Sequence, residues 1–219
     1  FSGGKMQNQV ELTNRAQRQA KVPVMITFDG EWGLAMRLRG TPVFPRNMVL
    51  GCIRDNRLIY EYGREVARQC RQIGVQVNFA PVADVNINPK NPVINTRSFG
   101  EDPIQVADKV IAYASGLEGG GVLSVCKHFP GHGFVVADSH VDMPVDRRSL
   151  KRILADDAVP YAALAQDLGA VMPAHVIYPK VEAAPAGFSK KWLGILREQL
   201  QFHGAIVTDD LSMAGAAMI

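Results

Sequence analysis

The chain has 219 residues, 47% of them hydrophobic, with 24 Lys and Arg against 21 Asp and Glu, a net charge of +3. That length supports one substantial core, and so mild a charge gives no argument for a nucleic-acid or membrane-surface partner. No apolar run approaches the roughly 18 residues of a membrane-spanning helix, and Cys52, Cys70 and Cys126 stand in no CxxC spacing, so reduced core thiols are expected rather than a disulfide framework or a structural zinc site.

Short apolar runs recur along the chain at Val24–Phe28, Val75–Phe79, Val122–Cys126, Ala170–Met172 and Ala205–Thr208. Most are rich in Val and Ile without clean alternation, the pattern of parallel strands buried on both faces. Helical patterns lie between them. Over Arg57–Ile73, the residues Ile59, Tyr62, Val66, Cys70 and Ile73 fall at spacings of three and four, and Val106–Leu117 and Leu150–Leu168 behave similarly. Ser149 and Ser189 are placed to cap the helices that follow them, and Gly74, Gly169 and Gly204 are placed as C-cap glycines.

Strand and helix alternate at least five times, which is the α/β signature. Polar residues crowd the strand ends: Asp29, Asp84, Lys127, His128, His175, Asp209 and Asp210. A doubly wound sheet concentrates function in one or two loops at its switch point. Polar groups at nearly every strand end favour a (β/α)8 TIM-type barrel. A full barrel takes about 250 residues, the chain begins at Phe1 rather than Met, and it stops at Ile219 in a helix-start pattern. The expectation is therefore one domain over 1–219, a barrel truncated at both ends, with a further C-terminal domain allowed in the longer protein. Compartment stays open between cytoplasmic and exported.

Four segments can carry chemistry. The densest runs from Lys127 through His128, Pro130, Gly131, His132 and Gly133 to Asp138, Ser139 and His140, then Pro144. Its Pro and Gly make it a loop, and titratable loops on rigid strands are common site elements. Three readings compete. In one, His140 is a general acid/base whose ring Asp138 orients. In the second, His128, His132 and His140 bind a metal, against the repulsion of Lys127. In the third, all are structural loop residues. The second segment, Ala205–Met213, drives a buried strand into Asp209 and Asp210. Neighbours on a strand face opposite sides; Asp210 is the better helix cap, which leaves Asp209 for chemistry. The third, Phe28–Gly33 with Arg37, offers Asp29 as an acceptor for hydroxyls and Trp32 as either a stacking platform or core. In the fourth, Asn95–Pro103, Arg97 has a solvated surface role as its default reading.

Taken together these segments resemble glycoside hydrolase family 3, specifically its β-N-acetylglucosaminidase branch, over about the whole chain. That branch carries K-H-F-P-G-H-G, then D-S-H, then P, matched without a gap by Lys127 through Pro144. Its S-D-D-L-S-M-like segment is matched by Thr208–Met213 with Thr for Ser. Its D-x-E-G-G-x-V-x-R segment is matched by Asp29–Arg37, with Trp32 for a Gly and Ala35 for the Val. R-S-F-G is matched at Arg97–Gly100.

The resemblance implies a retaining glycosidase acting on a carbohydrate substrate, bacterial in type, with no metal or organic cofactor. Asp209 would be the nucleophile and His140, paired with Asp138, the acid/base. Asp29, Arg37, Arg97, Lys127 and His128 would contact N-acetylglucosamine, with Met172 and His175 facing the same mouth. Expected substrates are peptidoglycan fragments or chitooligosaccharides. Retaining glycosidases with two carboxylates use the second as acid/base. A histidine there does not repel an anionic acceptor, so a phosphorylase is one alternative and a catalytically silent sugar-binding or scaffold domain another.

Overall fold

The structure, a computed structural model, describes residues 3–138, 143–165 and 167–217. The strands are β1 (Thr27–Phe28), β2 (Val77–Asn78), β3 (Leu123–Phe129), β4 (Ala170–Pro173), an antiparallel pair β5 (Ile177–Tyr178) and β6 (Glu182–Pro185), and β7 (Ala205–Ile206). The central sheet is parallel throughout, in the order β1-β2-β3-β4-β7. Each parallel strand is laid beside its predecessor with no reversal of direction, so the sheet lacks the switch point of a doubly wound fold. This is the winding of a TIM-type α/β barrel, and the barrel is not closed among the described residues, with β1 and β7 at its two edges.

The helices are α1 (Met6–Gln19), α2 (Asn47–Gly51), α3 (Asn56–Gln72), α4 (Pro103–Gly119), α5 (Leu150–Ala155), α6 (Val159–Leu164), α7 (Lys190–Gly194) and α8 (Ala214–Ala217). The expected helix over Leu150–Leu168 is broken into α5 and α6. Proline has no N–H to donate and is tolerated only in a helix's first turn, so Pro160 sits at the start of a new helix. The periodicity did not indicate α1 or the β5–β6 hairpin. Both serine caps form: Ser149 Oγ accepts from Arg152 N at 3.3 Å and Ser189 Oγ from Trp192 N at 3.1 Å. Of the three glycines expected as C-caps, Gly74 takes the left-handed conformation (φ +76°). Gly204 is needed for closeness instead, since a Cβ there would lie 2.5 Å from the Gly169 carbonyl oxygen, and a Cβ on Gly169 would meet only the movable end of Leu123.

The core lies between the helices and the sheet. Ile59, Val66 and Cys70 of α3 and Val106, Val110 and Leu117 of α4 are all completely buried. Trp192 is buried at the other end, its ring centre 5.0 Å from that of Tyr178 and 6.0 Å from that of Phe129. Cys70 and Cys126 are buried thiols, and burial pushes Cys70 up to about 12; Cys52 departs from the expectation by being exposed. No described helix is long and apolar enough to cross a membrane.

Helices α3 and α4 cross backbone to backbone. A Cβ at Gly116 would stand 2.2 Å from the Tyr60 carbonyl oxygen, and one at Gly63 would stand 2.6 Å from that of Tyr113. Backbone cannot yield as a flexible side chain does. We expect Gly116→Val to lower unfolding stability by about 1–3 kcal/mol, the usual cost of overpacking, as read by urea denaturation of the full-length protein; an unchanged midpoint would refute this packing.

Candidate active site

Strand register brings five charged groups together at the C-terminal edge of the sheet. Asp29 follows β1 directly, and Lys127 lies near the end of β3, paired with Met172 on β4. Lys127 Nζ donates to Asp29 Oδ1 at 2.7 Å and lies 2.9 Å from Glu31 Oε1. Arg97 forks onto the same glutamate, with Nη2 to Oε1 at 2.7 Å and Nε to Oε2 at 3.0 Å. Arg37 pairs with the other oxygen of Asp29. Glu31 is fully buried and the Lys127 side chain only 4% exposed, so each charge depends on its partners. Burial pushes the Glu31 carboxyl up, but Lys127 and Arg97 outweigh it and hold Glu31 well below the ordinary carboxylate range. Burial likewise pulls Lys127 down, and Glu31 and Asp29 reverse that, leaving its ammonium firmly protonated.

A second carboxylate organises the loop after β3. Asp84 is fully buried; its Oδ2 lies 2.7 Å from His128 Nδ1, and its Oδ1 accepts from His132 N at 2.6 Å. Burial raises Asp84, yet its histidine partners and the His132 amide bring it net below its ordinary value. His132 is itself pushed down to about 4, chiefly by burial and then by the charge of His128. The β3–β4 register shifts between Lys127 and Phe129. Such an irregularity re-aims side chains: Lys127 meets Asp29 while its neighbour His128 meets Asp84.

Asp209 lies beyond β7 on the wall of a cleft of about 410 Å³, lined also by Asp29, Phe79, Lys127, Met172 and Thr208. Asp210 departs from the expectation: it lines the same cleft and caps no helix, since α8 begins only at Ala214; its Oδ1 accepts from Ser212 N at 2.8 Å and from Ser212 Oγ at 2.7 Å and so holds the turn before that helix. Asp209 Oδ1 accepts from Asp210 N at 2.8 Å. His175, 2% exposed, places Nε2 3.1 Å from the Asp210 carbonyl oxygen and stacks on Phe188. It therefore braces the segment that bears Asp209.

Of the sequence-predicted residues, Asp29, Lys127, Met172 and Asp209 share the cleft; Arg37 and Arg97 join it through the carboxylates they grip; His128 belongs to the Asp84 group; and His175 stands behind Asp210. His140 lies outside the described residues, and Asp138 is the last described residue before it. Arg97 is no solvated surface arginine, because Glu31 holds it. Trp32 is half-buried with the Arg46 guanidinium 3.6 Å from its ring centre, so that cation covers one face. Glu31 was given no role from the sequence, and Asp84 was named only as a polar residue at a strand end. Glu31 stands inside the D-x-E segment and Asp84 at a strand end, which were the available signals. Among the described residues no three His, Cys, Asp or Glu side chains are grouped to hold a metal. Alternating acceptors and donors around one cleft suit a ligand rich in hydroxyls, which can serve both.

A TIM-type barrel whose charged groups converge where its strands end is built as an enzyme-type scaffold with its site at that face. Residues 3–219 match the model of the glycosyl hydrolase family 3 N-terminal domain, and the chain belongs to that family. It is 45% identical over 217 residues to a beta-hexosaminidase of Bordetella parapertussis, covering 94% of this chain and 61% of that protein. Among solved structures, a family 3 beta-N-acetylglucosaminidase from Paenibacillus sp. str. FPU-7 superposes with a TM-score of 0.92 at 36% identity, over 99% of this chain and 43% of that one. The beta-glucoside phosphorylase BglX superposes with a TM-score of 0.94 at 28% identity, over 100% of this chain and 42% of that one. The chain thus spans about three fifths of the length of the curated relatives it matches.

The site is coupled to pH through Glu31. Its folded-state pKa is depressed, so the stability it contributes is present above its ordinary value of 4.5 and is lost as pH falls below it. We expect the melting temperature of the full-length protein to fall between about pH 5 and pH 3, and Glu31→Gln to flatten that fall while lowering the neutral-pH value. Parallel curves for the two proteins would show that Glu31 is not held as described.

Proposed function

We propose that this protein is a retaining glycoside hydrolase that releases terminal, non-reducing β-linked N-acetylglucosamine. The observation that carries the reading is Asp209 on the wall of the same cleft as Asp29 and Lys127. A carboxylate there can attack an anomeric carbon while the neighbouring charged groups grip the sugar's hydroxyls. Asp209 is the nucleophile and forms the glycosyl-enzyme. His140, oriented by Asp138, protonates the leaving oxygen and then deprotonates the incoming water. Asp29, Arg37, Arg97, Lys127 and His128 hold the sugar, Met172 packs against it, and His175 braces the nucleophile segment. The names of the relatives support the N-acetylglucosaminide specificity, and peptidoglycan fragments or chitooligosaccharides supply that linkage. A second reading, transfer to phosphate instead of water, is supported by the structural likeness to a beta-glucoside phosphorylase.

The test is nitrophenol release by the full-length protein from a panel of nitrophenyl β-glycosides, in phosphate-free buffer and with excess inorganic phosphate. We expect turnover of the N-acetylglucosaminide above the other glycosides. Asp209→Asn should abolish it, and His140→Ala should lower it on the order of 10²–10⁴-fold, the usual worth of general acid–base catalysis. Sugar 1-phosphate as the main product with phosphate present would select the second reading. Folded protein that turns over no glycoside would leave a sugar-binding or scaffold domain.

A further inference from the structure

Phe188 is the one aromatic side chain among the described residues that stands exposed, at 41%, while Phe99, Phe129, Trp192 and Phe202 are all buried. A single exposed apolar side chain is ordinary on a protein surface, so its place decides what it means. It ends the short turn Ala186–Phe188 that follows β6. That turn is fixed on both sides of the ring. Ala186 is buried and its N donates to Val176 O at 3.0 Å, while Ser189 is buried and its side chain caps α7.

Two contacts place this turn at the mouth of the cleft. A Cβ on Gly187 would stand 3.6 Å from the Cβ of Pro173, and Pro173 follows directly on Met172, which lines the cleft. The Phe188 ring stacks on that of His175, with centres 5.9 Å apart and planes 17° from parallel. His175 Nε2 in turn lies 3.1 Å from the carbonyl oxygen of Asp210, another lining residue. The His175 imidazole therefore links the Phe188 ring to the segment that bears Asp209. Leu211, next after Asp210, also lines the cleft and is 57% exposed. Two exposed apolar side chains thus accompany the Asp209 side of the cleft, whereas charged Asp29 and Lys127 occupy its other wall.

We propose that Phe188 is a specificity-determining residue: its open surface stacks on the ring of the sugar joined to the terminal N-acetylglucosamine, with Leu211 as a smaller apolar neighbour. The inference rests on the function proposed above and adds the class of aglycone, a second pyranose rather than a small alcohol. When a terminal sugar lies among Asp29, Lys127 and Asp209, the group it is joined to lies on the leaving side, towards the mouth. A pyranose suits an aromatic ring there, because its C–H bonds form an apolar face that meets the negative face of the ring. Ligand sites commonly combine such apolar surface with a few fixed polar groups. The turn is already held, so the ring receives a sugar without first having to be ordered. The competing account is a ring that packs against further parts of the full-length protein and has no bearing on substrate choice.

The experiment measures release of N-acetylglucosamine by the full-length enzyme from two substrates. In N,N′-diacetylchitobiose the aglycone is a sugar ring; in methyl β-N-acetylglucosaminide it is too small to cover an aromatic face. We expect Phe188→Ala to lower kcat/KM for diacetylchitobiose on the order of 10-fold and for the methyl glycoside far less. The loss should fall mainly on KM, because the contact serves substrate and transition state alike. Phe188→Trp, which keeps a flat ring, should retain the preference, and Phe188→Leu, apolar but without a flat face, should lose most of it. These two serve if Phe188→Ala does not fold. Leu211→Ala should show the same selectivity to a smaller degree. An unchanged ratio between the two substrates in Phe188→Ala and Phe188→Leu, whether both rates fall or neither does, would overturn the inference, and a lowered melting temperature alongside it would select the packing account. Release of N-acetylglucosamine from neither substrate by the unaltered enzyme would overturn the proposed function and this inference with it.

Discussion

Lys127 carries an ammonium group that is almost wholly removed from water, and much of the architecture follows from the need to balance it. An uncompensated buried charge costs several kcal/mol. Here the compensation comes from Asp29 and Glu31, both on the loop after β1, which is separated from β3 by β2. The pairing can exist only if three strands keep their register, Thr27 beside Val77 and Val77 beside Leu123, so that their ends arrive at one level. Arg97 then closes the cluster from outside the sheet by forking onto Glu31, and Asn47 Nδ2 in turn donates to the Arg97 carbonyl oxygen at 2.7 Å. The charged cluster is thus held by loops from several β/α units at once, which is the physical sense in which a barrel pre-organises a site.

Two carboxylates divide the labour. Glu31 holds Lys127 on the cleft wall and Arg97 behind it, while Asp84 holds the backbone and ring of the loop that follows β3. Both are buried, and neither is free to wander. Of the charged groups on the cleft wall, Lys127 is buried, while Asp29 and Asp209 are left partly exposed. A rigid, fully paired inner layer beneath a partly open outer one is what a site needs when its ligand must enter and leave while meeting fixed charges.

The fold class was legible in the sequence because buried parallel strands and amphipathic helices leave strong local patterns. The strand positions at Val75–Phe79 and Ala205–Thr208, the long helices α3 and α4, and both serine caps could be read directly. The helix at Leu150–Leu168 was overdrawn because apolar periodicity continues through Pro160, whose missing N–H the periodicity does not register. Helix α1 was missed because its sequence is mostly polar and its hydrophobic signal weak. At the site, Asp29, Lys127 and Asp209 were legible from their places at strand ends and from the motifs they belong to. Arg97 was legible only through its motif, since by local pattern it reads as a solvated loop residue.

The amino-acid sequence by itself determined the alternation of strands and helices, the family-specific segments, and the residue types available at the strand ends, because these are properties of short stretches of chain. Which of those residues meet was decided by the tertiary structure. Glu31 and Arg97 are 66 positions apart and His128 and Asp84 are 44 apart. No local pattern carries information about such pairs. They form because strand register and helix packing bring distant segments within hydrogen-bonding distance, and because a buried charge is tolerated only where an opposite charge awaits it.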